Sequence, residues 1–322
     1  MKSHRYNNFF TNRTVLVTGG AGFIGSALAT KLRELGATVR VLDDVSTGHY
    51  SNVADLDVTC IEGSILDTSL LERCVEGCDC VFHQAAMVSV PASVKDPKRC
   101  FDINVTGTKQ VLDFAAKSGV RRVMFAASSA VYGPHASLPS VETMTPDPAS
   151  PYAESKLEGE KVIKEYALGT EMDTVSLRYF NIFGPKQDPH SQYAAVVAAF
   201  MEALLHKRNP QVYGDGLQTR DFTYINNAVH ANLLAASCNT QLHGEVFNIG
   251  TGHSHSLLDM LALMSKTIGV EPTVDFHLER EGDVPHSRAS IEKATNKFGY
   301  SPVVSFEDGI ARLFTDTAGL PA

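Results

Sequence analysis

The chain has 322 residues, 43% of them hydrophobic and 20% charged, enough apolar material for one large unit or two interlocked ones, and this excludes a disordered protein. Its 28 Lys and Arg against 36 Asp and Glu give a net charge of −8, which argues against a nucleic-acid binder, since phosphate neutralisation needs clustered cations. The longest apolar stretch, Tyr193 to Leu205, carries Glu202 and falls short of the roughly 20 residues of a membrane span.

The first residues show neither an apolar run nor a cleavage site, so no signal peptide is read there. A cytoplasmic protein with no membrane or nucleic-acid partner is the expectation. In that setting the six cysteines read as free thiols. Cys74, Cys78, Cys80 and His83 lie close together, but their spacing is not that of a zinc knuckle, and residues 79–83 read as a buried strand; no metal site is expected. His253 and His255 read as part of a polar loop before a helix starting near Ser256.

In chain order, apolar runs alternate with helical patterns. Thr14–Thr18 reads as a strand, Phe23–Leu35 as a helix and Thr38–Asp43 as a strand. Further strands are expected at Asp57–Ile61, Cys80–His83, Arg122–Ala127 and Thr174–Arg178, and long helices at Lys98–Lys117 and Tyr152–Leu168. Strand–helix alternation implies a Rossmann-type doubly wound parallel sheet, an α/β fold buried on both faces. Residues 1–180 are expected to form it. Residues 181–322, broken by Gly184-Pro185, Asn209-Pro210 and Gly214-Asp215-Gly216, are expected mainly to form a smaller substrate-binding domain. A segment near 226–250 should return to the main sheet.

Between the first strand and first helix lies Gly19-Gly20-Ala21-Gly22-Phe23-Ile24-Gly25. Glycines there permit a tight turn and close approach of a pyrophosphate, and the helix N-terminus favours its charge. A lone glycine triplet is a weak signal. The strand before it, the helix after it and Asp43, 18 residues past Gly25 at the end of the second strand, strengthen it. A carboxylate at Asp43 would bind ribose hydroxyls and repel a 2′-phosphate, so NAD is expected over NADP.

Tyr152 and Lys156 stand one helical turn apart, after Ser150 as a cap and Pro151 as first helical residue. Such a pair suits a phenol acting as base with an ammonium beside it. A tyrosine titrating near about 10 needs roughly 4 kcal/mol of help to act near neutrality. In a chain with ten tyrosines the pair alone is weak. It gains weight from Ala127-Ser128-Ser129 at a strand end, where a hydroxyl could hold a substrate.

These stretches, with residues 83–97, 128–133, 178–189, 193–197, 213–225, 247–252 and 280–287, resemble the extended short-chain dehydrogenase/reductases, specifically nucleotide-sugar 4-epimerases, over nearly the whole chain. The stretches at 187–197, 89–91 and 282–287 are most similar to bacterial UDP-N-acetylglucosamine 4-epimerases. The resemblance implies Tyr152 as base, Lys156 on the nicotinamide ribose and Ser128 on the sugar 4-hydroxyl. It implies that Gly19, Gly22, Phe23, Ile24, Gly25, Asp43, Ser64, Ile65, Gln84, Ala85, Ala86, Asn104 and Tyr179 line the NAD site. For the UDP-sugar it implies Ser89, Val90, Ala195 and Val196, Asn181 and Arg220 on the diphosphate, Tyr213 by the uracil, and Arg280 and Asp283 at the nucleotide end. A homodimer pairing the helices of residues 98–117 and 152–168 is also implied.

Two departures stand out. Ser64 replaces an Asp usual in the family's turn after the third strand, and Ala126-Ala127-Ser128-Ser129 replaces a run of three serines. A dehydratase or decarboxylase of the same fold carries a Glu just before Val131-Tyr132-Gly133, where this chain has Ala130. A UDP-glucuronate 4-epimerase usually lacks the Asn found here as Asn181, and a non-catalytic sensor would not need the Ser128, Tyr152, Lys156 set. Glucose-restricted relatives place a bulky Tyr at the position of Ser287, so Ser287 is expected to leave room for an N-acetyl group.

Overall fold

Val15–Val17, Val41–Leu42 and Val81–Phe82 are apolar runs without polar alternation, and they form strands covered on both faces. The structure is a computed structural model and describes residues 6–187, 196–279 and 284–318. The first half runs β1 (Thr14–Thr18), α1 (Phe23–Glu34), β2 (Thr38–Asp43), β3 (Thr59–Glu62), α2 (Thr68–Val75) and β4 (Cys80–His83). Then come α3 (Val90–Lys95), α4 (Pro97–Phe101), a π-helical segment (Asp102–Gly107), α5 (Thr108–Lys117), β5 (Arg122–Ser128), α6 (Pro151–Gly169) and β6 (Asp173–Tyr179). The second half has β7 (Ile182–Phe183), α7 (Val196–Leu205), β8 (Gln211–Tyr213), β9 (Thr219–Arg220), β10 (Thr223–Tyr224) and α8 (Ile225–Ser237). It ends with β11 (Val246–Ile249), β12 (His255–Ser256), α9 (Leu257–Ile268), β13 (Asp275–His277), α10 (Glu292–Phe298) and α11 (Phe306–Ala318).

Among the described residues, seven strands form one parallel sheet in the order β3-β2-β1-β4-β5-β6-β11. The fold is thus the doubly wound α/β architecture. The order reverses between β1 and β4, and in such sheets the crevice outside the carboxyl ends at that point receives the ligand. One apolar cluster packs residues of α1 and α8 against the sheet, and a second packs those of α2, α5 and α6 against the other face. At the amino ends of β5 and β6, buried Arg122 pairs with Asp173 at 2.6 Å and donates to the carbonyls of Ala235, Cys238 and Thr240. That knot fastens α8 to the sheet at the end away from the crevice.

The single helix expected over 98–117 is three pieces, with a π turn at Asp102–Gly107. Asn104 explains the interruption. Its side chain accepts from the Met87 N–H (2.8 Å) and donates to the Met87 carbonyl (3.0 Å), while its own carbonyl accepts from the Thr108 hydroxyl (2.7 Å).

Candidate active site

The glycine loop is built for contact. A Cβ at Gly19, whose φ is +66°, would fall 2.6 Å from the Ala85 nitrogen, and one at Gly25 would fall 2.0 Å from the Gly19 oxygen. Only glycine fits either place. Gly22 is the N-cap of α1, with no side-chain cap hydrogen bond and no acid in the first turn, which leaves a positive helix end without a side-chain acceptor. Phe23 and Ile24, on that first turn, are partly buried against the core.

Asp43 ends β2 beside this loop. One carboxylate oxygen accepts from the Ala21 N–H and the other from the Val45 N–H, both at 2.9 Å. Burial raises its pKa, and the two backbone donors pull it back. Val45 takes a φ of +49°, costly for a β-branched residue, so strain is spent on this corner. Each oxygen keeps a lone pair for a hydroxyl. Glycines, a free helix start and a buried carboxylate at this spacing fit a dinucleotide.

The loop after β4 closes the other side. Gln84 accepts from the Tyr179 hydroxyl at 3.3 Å, and its side-chain nitrogen is buried without a partner. Ala85 donates its N–H to the Thr18 hydroxyl (3.3 Å), and Ala86 is half-buried beside it. Tyr179 also accepts from Asn232 at 2.7 Å, and burial pushes its phenol up to about 12. Asn104 lies behind this loop, its amide engaged by Met87 and by the Ser155 hydroxyl at 2.9 Å. Ser64 accepts from the Leu66 N–H (3.2 Å) and lines a cleft of about 330 Å³ with Asp44, Arg99 and Ile103. The Ile65 side chain is buried, facing Gly107.

α6 starts where the Ser150 hydroxyl accepts from the Ala153 N–H, with Pro151 in its first turn. This start sets Tyr152 against the end of β5. The Ser128 hydroxyl hydrogen-bonds the Tyr152 phenol and lowers its pKa, against a larger upward push from burial. Ser128 pairs in register with Tyr179 across β5 and β6. Lys156 is buried, donates to the Ala126 carbonyl at 2.8 Å, and is brought down to about 8 by burial. The Ser93 hydroxyl of α3 accepts from the Tyr152 N–H (3.1 Å), and Ser89 caps α3 by accepting from the Ala92 N–H (3.2 Å), with Val90 exposed next to it. The sequence reading did not single out Ser93; a lone serine in a helix carries no signal of such a contact.

Beyond the sheet, Asn181, Val196, Tyr213 and Arg220 line one cleft of about 650 Å³. Phe200, Arg208, Gln211 and Gln218 also line it, with Glu202 and Asp275, residues that sequence reading missed because, Gln218 apart, none of them belongs to a recognisable motif. Arg220 donates to the Pro285 carbonyl at 3.1 Å, and Tyr213 stacks on His277 with centroids 5.2 Å apart. Ser287 reaches Asn181 at 3.1 Å. Ala195, Arg280 and Asp283 lie outside the described residues. His83 bridges the hydroxyls of Thr18 (2.7 Å) and Thr108 (2.9 Å), and Cys74, Cys78 and Cys80 are buried free thiols. No described helix is long and apolar enough to cross a membrane.

Comparison with known proteins places these features in context. The model of the NAD dependent epimerase/dehydratase family matches residues 15–250. A UDP-glucose 4-epimerase of Mycolicibacterium smegmatis is 36% identical over 303 residues, covering 92% of this chain and 96% of that protein. The structure of UDP-N-acetylglucosamine 4-epimerase from Methanobrevibacter ruminantium, in complex with UDP-N-acetylmuramic acid, is similar with a TM-score of 0.90 and 34% identity, covering 94% of this chain and 97% of that one. The UDP-glucose 4-epimerase of Thermus thermophilus, in complex with NAD, is similar with a TM-score of 0.85 and 36% identity, covering 94% and 98%.

Proposed function

We propose that this chain, which belongs to the NAD dependent epimerase/dehydratase family and is an NAD-dependent UDP-sugar 4-epimerase, interconverts UDP-N-acetylglucosamine and UDP-N-acetylgalactosamine. The observation that carries the choice of sugar is Ser287, a small hydroxyl residue hydrogen-bonded to Asn181, which lines the cleft; in this reading a tyrosine at that position would take the room of an N-acetyl group.

In this reading the glycine loop and the start of α1 hold the pyrophosphate of NAD, Asp43 holds the adenosine ribose, and Lys156 holds the nicotinamide ribose. Bound NAD supplies reversible hydride acceptance at the sugar C4. Ser128 donates to or accepts from the 4-hydroxyl and orients it toward Tyr152. The Tyr152 phenolic oxygen takes the hydroxyl proton as C4 is oxidised to the ketone and returns it as the ketone is reduced. Lys156, one turn along, is the positive charge that favours the phenolate. Asn181 and Arg220 bind the diphosphate, where a guanidinium fork suits phosphate oxygens, and Tyr213 packs by the uracil. Residues 1–180 serve mainly the cofactor and 181–322 mainly the nucleotide sugar. The protein works as a cytoplasmic homodimer joined through α4, α5 and α6.

Product analysis tests this. Purified protein is incubated in turn with UDP-N-acetylglucosamine, UDP-glucose and UDP-glucuronate, and the nucleotide sugars are resolved. The expected result is the 4-epimer of the N-acetyl sugar formed fastest. Turnover of UDP-glucuronate alone, or a 4-keto-6-deoxy product, would overturn the assignment.

A further inference from the structure

Lys156 and Glu160 stand four residues apart on α6, the spacing at which an ammonium and a carboxylate ordinarily pair. Here Arg178 on β6 takes both carboxylate oxygens of Glu160, Nε to Oε1 at 2.8 Å and Nη2 to Oε2 at 2.7 Å. Both side chains are about 5% exposed or less. The guanidinium is held over the Tyr132 ring at 4.7 Å, and the Tyr132 phenol is fixed in turn by donating to Asn248 at 2.7 Å. Lys156 donates instead to the Ala126 carbonyl, toward the end of β5 that carries Ser128.

We propose that Arg178 is a positioning residue: by occupying both oxygens of Glu160 it keeps that carboxylate from capturing Lys156, and so leaves the ammonium free to serve the site at Ser128 and Tyr152. This rests on the reading of Lys156 as the group that holds the nicotinamide ribose and supports Tyr152. A buried carboxylate that loses its partner turns to the nearest cation, because an unpaired charge out of water is costly. The groups that face Lys156 are Glu160 on its own helix, Cys100 from α4 and His83 at the end of β4; Glu160 is the carboxylate among them. Arginine suits the task, since its planar fork meets both oxygens at once and stays charged.

Three variants of the full, NAD-loaded chain test this: Arg178→Met, the double variant Arg178→Met with Glu160→Met, and Lys156→Met. Arg178→Met frees the carboxylate. Its kcat should fall at least about tenfold, part of what a lost acid–base group costs, with KM for the UDP-sugar within about twofold. The alkaline limb of its pH profile should move upward, because an ammonium paired with a carboxylate holds its proton longer. The double variant has no carboxylate to capture Lys156 and should recover kcat to within about threefold of wild type. Lys156→Met should lose at least about 100-fold. Wild-type kcat in Arg178→Met beside an inactive Lys156→Met would overturn this proposal alone. Wild-type turnover in Lys156→Met would overturn the reading beneath it as well. Should Arg178→Met fail to fold, the double variant decides, since removing both members of a buried pair is tolerated better than removing one. A folded, NAD-bearing double variant with tenfold lower kcat overturns the proposal.

Discussion

The Ser287 hydroxyl donates to the Asn181 amide oxygen at 3.1 Å and accepts from the Asp221 N–H at 3.4 Å. The Asp221 carboxylate in turn accepts from the N–H groups of Thr251 (2.7 Å), Gly252 (3.0 Å) and Ala289 (3.0 Å). Ser287 is therefore clamped between the segment following Arg220 and the turn bearing Asn181.

From this follows the expectation for sugar choice. Ser287→Tyr places a ring where the hydroxyl now stands. It should abolish epimerisation of UDP-N-acetylglucosamine by steric exclusion and spare or improve that of UDP-glucose. Steady-state kinetics with both sugars checks it. An equal effect on the two, or none, would remove Ser287 as the gate.

Tyr152→Phe keeps the ring packed at the start of α6 and removes the oxygen that meets Ser128. Turnover should fall by at least the roughly 100-fold typical of a lost acid–base group. Copurified NAD should stay at its wild-type amount, because the glycine loop and Asp43 lie on other elements. Turnover within a few fold of wild type would refute the assignment of the base.

Parts of the molecule whose cause is local were legible in the sequence. The strand, the glycines and α1 follow from one continuous stretch: Gly19 takes a φ of +66°, and a Cβ at Gly25 would collide with the loop's own Gly19 oxygen. The cap at Ser150 and the helix bearing Tyr152 and Lys156 are likewise written in adjacent residues. What remained hidden depends on partners distant in the chain. The π turn answers to Asn104 reaching Met87, 17 residues away, and the pairing of Glu160 with Arg178 outcompetes a helical neighbour only because β6 lies beneath α6. β3 was expected at Asp57–Ile61 and is found at Thr59–Glu62, set by parallel pairing with Arg40–Asp43 rather than by its own composition.

Asp43 should set the cofactor preference. Its oxygens already accept from the N–H groups of Ala21 and Val45, which holds the carboxylate in place for two ribose hydroxyls and against a 2′-phosphate. Calorimetry on NAD-free protein should show NAD binding at least about tenfold more tightly than NADP, a difference of about 1.4 kcal/mol. In Asp43→Asn, which removes the charge and keeps the shape, the ratio should shrink through loss of repulsion. Equal affinities in the wild type would sink the idea.

His83 should make stability fall in acid. The Thr108 hydroxyl donates to the Asn104 carbonyl (2.7 Å), so it accepts from His83 Nε2 (2.9 Å). In a neutral ring protonated there, Nδ1 is bare and accepts the Thr18 hydroxyl proton (2.7 Å), while the same hydroxyl accepts from the Ala85 N–H. The Thr108 contact puts the proton on Nε2, and it is burial that disfavours a second one on Nδ1. Burial, and then the charge of Lys156, bring the His83 pKa down to about 3. The unfolded chain takes up that proton near pH 6.5 and the folded one does not until about 3, so the unfolded state binds more protons throughout that window. Stability from this group is whole above about pH 6.5 and is lost as pH falls, by at most about 1.4 kcal/mol per pH unit. Urea unfolding of the wild type and of His83→Gln, whose amide can accept from Thr18 and donate to Thr108 without titrating, checks this. The variant should be less stable at pH 7.5 and the difference should narrow by pH 5. Parallel losses in the two proteins would mean that acid acts elsewhere and that the switch point between β1 and β4 tolerates the charge.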